Sequence, residues 1–157
     1  METFDPTNNI GYLLQHISTV LAKQSDQVLS ERLGIGFSQY KILMVLQVNP
    51  KTRQRHIAER LGQTEASISR QVGLMHDKNL LQTAINPNNR REHITTPTSK
   101  GLRLVEEAQN MLNGYHGPMF EKLNSKEREQ LLQSLVLMHQ TSCQPGRTGS
   151  CDHPFLT

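Results

Sequence analysis

A chain of 157 residues, 35% apolar and 4% aromatic with no tryptophan, has material for one domain of ordinary size around a core of Leu, Ile, Val and Met. No run approaches the roughly 18 consecutive apolar residues of a membrane span, and the start Met1-Glu2-Thr3-Phe4-Asp5 lacks a secretory pattern, so no membrane partner and a cytoplasmic location are expected. The net charge of +3 is uneven: ten Lys and Arg against four acids lie between Pro50 and Arg103 while the remainder is net acidic, which points to a local polyanion contact.

From Asn8 to Leu33 apolar residues recur at Ile10, Leu13, Leu14, Ile17, Val20, Leu21, Val28 and Leu29. A repeat of about 3.6 residues predicts one long amphipathic helix. Gly34-Ile35-Gly36 breaks it, and Ser38 is placed to cap a second helix carrying Tyr40, Ile42, Leu43, Val45, Leu46 and Val48, which Asn49-Pro50 ends. Thr52 is placed to cap a short third helix with Ile57, Ala58 and Leu61 on its inner side, and Gly62 stops it. Thr64 caps the next, whose inner residues are Ile68, Val72 and Met75, with Asn79 in a left-handed position after it. Helix, tight turn, helix is the result.

Leu80 to Ile85 and Glu92 to Thr96 are β-compatible runs around Asn86-Pro87-Asn88-Asn89-Arg90-Arg91, so a hairpin with a basic tip is expected. Pro97 stops the second strand. Thr98 then caps a long helix with Leu102, Val105, Ala108, Met111, Leu112 and Tyr115, ending near Gly117-Pro118. Asn124 and Glu127 form a capping box for a last helix with Leu131, Leu132, Leu135, Val136 and Met138. From Thr141 the chain is rich in Gly, Pro and Ser and is expected to pack weakly.

A helix enters a major groove only if its outward face is small, polar or cationic. With Ile68 inward and about 100° per residue, Ala66, Ser67, Ser69, Arg70, Gly73 and Leu74 point away from the core. Arg70, the cation among them, suits the acceptor pair on guanine; serine meets base edges or phosphates, and alanine a thymine methyl. Gln63 and Thr64 stand at the helix start, where free backbone amides favour a phosphate. Alone, this segment reads equally as a helical hairpin with a solvated face. The basic ribbon shifts that balance, because Arg90 and Arg91, with Asn89 beside them, are within reach of an adjacent minor groove or backbone.

In chain order, Ile57-Ala58-Glu59-Arg60-Leu61-Gly62, Ala66-Ser67-Ile68-Ser69-Arg70, Lys78-Asn79-Leu80-Leu81, Asn86-Pro87-Asn88-Asn89-Arg90-Arg91 and Thr98-Ser99-Lys100-Gly101 resemble the MarR family of winged-helix regulators, over nearly the whole chain. The resemblance implies a mainly α fold with a small β-hairpin wing (α+β). A winged helix-turn-helix at 37–97 is flanked by dimerisation helices at 1–36 and 98–142, with a C-terminal tail at 143–157. It implies a homodimer whose first and last helices interlock, bound to a pseudo-palindromic operator in double-stranded DNA. It also implies repression relieved by a small molecule, such as a phenolic, or by an oxidant.

By position, Arg70 matches the family's recognition-helix arginine and Arg91 the wing arginine that enters the minor groove. The chain departs from the pattern at Asn86 and Asn89, where acids are usual, at Asn79 for glycine, at Thr83 for a basic residue, and at Gly73 and Leu74 for polar residues. Tyr12, His16, Tyr40 and Tyr115 lie on helices that, by the resemblance, flank the junction between dimerisation and DNA-binding regions. They are candidates for an effector pocket, or for plain filling of a helical interface.

Cys143 and Cys151, with His139 and His153, offer either a thiol switch or zinc ligands on paper. Their spacing matches no metal pattern, so a plain tail without metal or cofactor is expected. No nucleophile elbow, phosphate-binding Gly loop or clustered acid, base and nucleophile stands out. The sequence therefore points to a dimeric, sequence-specific DNA-binding transcriptional regulator, not an enzyme. A winged-helix module that binds a partner protein without DNA is the alternative.

Overall fold

A computed structural model describes residues 5–143. After a 3-10 turn at Pro6–Asn8 come α1 (Ile10–Leu33), α2 (Phe37–Val48), β1 (Thr52–Arg53), α3 (Gln54–Leu61), α4 (Glu65–Asp77), β2 (Leu81–Asn86), β3 (Asn89–Pro97), α5 (Ser99–Phe120) and α6 (Ser125–Ser142). This is the mainly α architecture with a β-hairpin wing that the sequence implies. No helix among the described residues is long and apolar enough to cross a membrane.

The helix ends follow local chemistry where a local signal exists. Asn9 caps α1 by accepting from the Tyr12 amide at 2.8 Å, and Gly34 closes it in the left-handed region at φ 64°. Asn79 adopts φ 60° after α4, as expected of an asparagine in a left-handed position. The Asn124–Glu127 capping box forms in both directions, at 3.0 and 2.8 Å.

Elsewhere a distant partner overrides the local signal. Ser38 lies inside α2 instead of capping it; the cap is Gly36, and the Phe37 amide donates to the Asp26 carboxylate of α1 at 2.7 Å. Thr52 does not cap α3. It belongs to β1, opposite Thr95, and its hydroxyl donates to the Asn49 carbonyl at 2.8 Å. α5 continues past Gly117-Pro118 to Phe120, and α6 reaches Ser142, beyond the expected onset of the tail at Thr141.

The sheet order is β1-β3-β2, antiparallel throughout, with a bulge between Ile85 and Asn86. β3 is therefore the central strand, paired at Thr95 with Thr52 on one side and Thr83 on the other. Packing centres on α2, which touches α1, α3, α4, α5 and β3. Its Ile42, Leu43 and Leu46 are fully buried against Leu29, Ile57, Ile68, Met75, Leu80, Leu81 and Val105.

One helix and half of another stand apart from this core. α6 buries none of its residues, leaving Leu131, Leu132, Leu135, Leu137 and Met138 exposed. The first half of α1 does the same with Ile10, Tyr12, Leu13, Ile17 and Val20.

α5 approaches the start of β2 so closely that a side chain at Gly101 would collide with the Leu80 carbonyl, which already accepts from the Thr98 amide at 3.1 Å. Backbone on both sides leaves little room to yield. Gly101→Ala is expected to lower stability by about 1–3 kcal/mol. Chemical denaturation checks this, and an unchanged midpoint would contradict the close approach.

Candidate nucleic-acid interface

α3 and α4 make the helix-turn-helix. Gly62, at φ 61°, ends α3 by turning left-handed, and two residues later Thr64 caps α4 by accepting from the Ser67 amide at 3.2 Å. Ile68, Val72 and Met75 are buried under α4, while Ala66, Ser67, Ser69, Arg70, Gly73 and Leu74 are all exposed. The helical projection of the sequence thus gives the observed outward face.

Gln63 occupies another position. It is half-buried, and its side-chain amide lies 3.4 Å from the Ser38 hydroxyl and 3.5 Å from that of Ser67. It ties the start of α4 to the start of α2. A second tie lies beside it, where the buried Gln39 amide donates to Gln71 at 3.1 Å.

The wing differs from the expected basic tip. β2 and β3 run to Asn86 and from Asn89, so the tip is Pro87-Asn88, and Arg90 and Arg91 are strand residues. Together with Glu92 they lie in the bulge between the Ile85–His93 and Asn86–Asn89 pairs. Arg91 lines a groove between β3 and α4, together with Ala66 and Ser69 of α4, Asn89, Arg53 and Arg55, and the carboxylates of Glu65 and Glu92. Arg90 is exposed and does not line that groove. The Asn89 side chain accepts from the Arg91 amide at 3.2 Å, so asparagine orders this stretch of backbone.

Arg53 and Arg55 are functional candidates that the sequence reading counted only as charge. The two-residue β1 has no period to detect, so nothing placed them beside the wing. Arg53 pairs with Glu92 of β3 at 3.1 Å, and Arg55 with Glu59 at 3.0 Å and more distantly Glu65 at 3.9 Å. Asn86 also donates to Glu92, at 2.9 Å, and accepts from the Asn88 amide at 3.0 Å. Glu92 thus clamps β3 to β1 and to the wing's other strand. The Asn86 hydrogen bond first, then Arg53, holds its carboxyl below the usual range. Arg70, Arg90 and Arg91, by contrast, have no carboxylate partner among the described residues.

The four candidate effector residues fall into separate pairs. Tyr12 stacks on His16 at 5.8 Å between ring centroids, and Tyr40 stacks on Phe37 at 5.9 Å inside the core. Tyr115 meets His116 edge-on at 5.1 Å, and the His116 ring lies 3.1 Å from the Ser25 hydroxyl of α1. Burial raises the Tyr40 phenol above its ordinary range. Cys143 is half-buried at the end of α6, while Cys151 and His153 lie outside the described residues.

Residues 33–92 match the model of the MarR family. No curated protein matches the chain in sequence. Solved structures share its fold. A MarR-family transcriptional regulator from Rhodococcus sp. RHA1 is 22% identical with a TM-score of 0.74, over 87% of this chain and 96% of that one. CouR from Rhodococcus jostii RHA1, bound to p-coumaroyl-CoA, is 20% identical with a TM-score of 0.73, over 87% and 95%. A mutant MarR from E. coli complexed with operator DNA is 18% identical with a TM-score of 0.73, over 88% and 99%.

Because its folded value is lowered, the Glu92 carboxylate supports the wing fully above the ordinary glutamate range, and that support is lost as pH falls through the lower folded value. Solvent screening keeps the contribution small. Acidification is therefore expected to lower the protection of the Arg90 and Arg91 amides, measured as exchange relative to the intrinsic rate at each pH, and Glu92→Gln to lower it already at neutral pH, with a flattened acid response. Identical exchange in both proteins across the range would show that Glu92 does not hold the wing.

Proposed function

Because the chain belongs to the MarR family through its residues 33–92, we propose that it is a homodimeric, sequence-specific DNA-binding transcriptional regulator in the cytoplasm. The observation that carries this reading is the shared groove: Arg91 of the wing opens onto the same space as Ala66 and Ser69 of α4. Beside it, Arg70 stands on the outward face, and neither arginine has a carboxylate partner among the described residues. Two such guanidiniums on neighbouring elements suit a polyanion better than they suit one another.

In this reading α4 lies in the major groove. Arg70 meets a guanine, Ser67 and Ser69 meet base edges or phosphates, and the amides at the Thr64-capped start of α4 receive a phosphate. Arg91 enters the adjacent minor groove, and Arg90, outside the protein's own groove, takes the flanking backbone. Arg53 and Arg55 add phosphate contacts at the wing base. Phosphate contacts supply most of the affinity, and α4 with the wing supplies the sequence preference.

Two half-sites one DNA turn apart, roughly 34–36 Å, need two copies of α4. The uncovered apolar residues of α6 and of the first half of α1 favour a second copy as their cover. Repression relieved by a small molecule completes the reading. CouR's p-coumaroyl-CoA is a ligand with a phenolic end, and the Tyr12–His16 and Tyr115–His116 pairs of α1 and α5 offer aromatic and polar surface for such a group.

Arg70→Ala is expected to cost on the order of 1–3 kcal/mol on a duplex selected from a random pool and to relax one base position. Arg91→Ala is expected to lose most where the flank is narrow and rich in A·T. Quantitative binding to selected and random duplexes decides the matter. Equal losses on both would remove Arg70 from base reading, and a protein that binds no duplex would favour a partner-protein role.

A further inference from the structure

α4 carries two residues that the protein's own packing does not account for. Gly73 stands in the helix interior, where glycine is weaker than alanine, yet a Cβ there meets nothing within 4 Å and its φ is not positive. Neither a turn nor an internal close approach calls for glycine. Leu74 is the only large apolar side chain of α4 left in the open, 45% exposed, while Ile68, Val72 and Met75 are buried. A single exposed leucine is ordinary on a protein surface. This one shares a patch with a bare stretch of backbone and the Arg70 guanidinium, which has no carboxylate partner among the described residues.

Gly73 and Leu74 follow Arg70 by three and four residues, one turn further along α4 and on either side of it. Gly73 borders a groove with Ser69, Thr83 and His93, on the wing side; Leu74 lies on the other flank. One helical turn advances about 5.4 Å and one base-pair step about 3.4 Å. Leu74 therefore falls one to two base pairs from whatever base Arg70 meets. The apolar group a major groove presents is the thymine C5-methyl.

We infer that Leu74 reads a thymine methyl one or two base pairs from the guanine met by Arg70, and that Gly73 lets the α4 backbone sink close enough for that contact. The operator half-site then carries thymine at that spacing, and part of its recognition is apolar. This inference rests on the DNA-binding reading above and specifies which base edge that site prefers.

The test uses the full chain and duplexes selected from a random pool, with each thymine replaced singly by deoxyuridine, which removes only the methyl. Binding is expected to weaken roughly fourfold at one position per half-site, the effect of losing one buried methyl-sized group. Leu74→Ala is expected to weaken binding to the parent duplex and to become indifferent to uracil at that position. Gly73→Ala is expected to raise Tm while weakening binding about tenfold or more, opposite signs that a purely structural glycine would not give.

Tight, selective binding that ignores every uracil replacement would overturn the inference and leave DNA binding intact. Failure to select any duplex would overturn both.

Discussion

The arrangement depends on the register of β3. Thr95, fully buried, is paired with Thr52 of β1 on one edge and Thr83 of β2 on the other, so the strand is fixed from both sides. Towards the tip β3 stays paired through Ile94 and His93 and then bulges, so that Arg90, Arg91 and Glu92 have no register partner on β2 until Asn89 meets Asn86. The Arg53–Glu92 pair and the Asn86–Glu92 hydrogen bond hold the same register nearer the wing tip. A two-residue strand thus does work out of proportion to its length, since β1 fixes the wing directly beside the first residues of α3.

The position of α4 is set by ties to three other helices. Its start is joined to α2 through Gln63 with Ser38, and its middle through Gln71 with Gln39. At its end the Lys78 ammonium donates to the Gly34 carbonyl closing α1, at 2.7 Å, and the Lys100 ammonium of α5 donates to the Lys78 carbonyl at 2.8 Å. α1 and α5 are also linked through Ser25 and His116. The outward face of α4 is therefore mechanically continuous with the helices that carry the aromatic pairs. A shift of α1 against α5 has a short path to α4, which would give the proposed effector control a physical route.

What could be seen in the sequence was whatever depends on neighbours within a turn or two. Gly62 and Thr64 around the turn, Asn79 in its left-handed position and the Asn124–Glu127 box all act over at most four residues, and the outward face of α4 follows from helical angle alone. What was hidden depends on residues far apart in the chain. Asp26 caps α2 from α1, Thr52 pairs across the sheet, and Gln63 turns inward because Ser38 is there to meet it. The wing arginines were expected at a tip because six turn-forming residues looked like one loop. Pairing of Asn86 with Asn89 shortens that loop to Pro87-Asn88 and leaves Arg90 and Arg91 in a bulge of β3, where Arg91 lines the groove and Arg90 does not. The excess of leucine on α6 was visible in the sequence, but only the fold shows that nothing within the described chain covers it.

The central claim is that this surface is built for a double-stranded polyanion. The dependence of duplex affinity on salt tests it most directly, because each phosphate neutralised contributes a slope of about −0.9 to a plot of log affinity against log salt. With Arg90, Arg91, Arg53, Arg55 and the start of α4 engaged in each half of a dimer, the plot should fall steeply and linearly, by several units of slope. A flat plot, or no measurable duplex binding even in dilute buffer, would contradict the account.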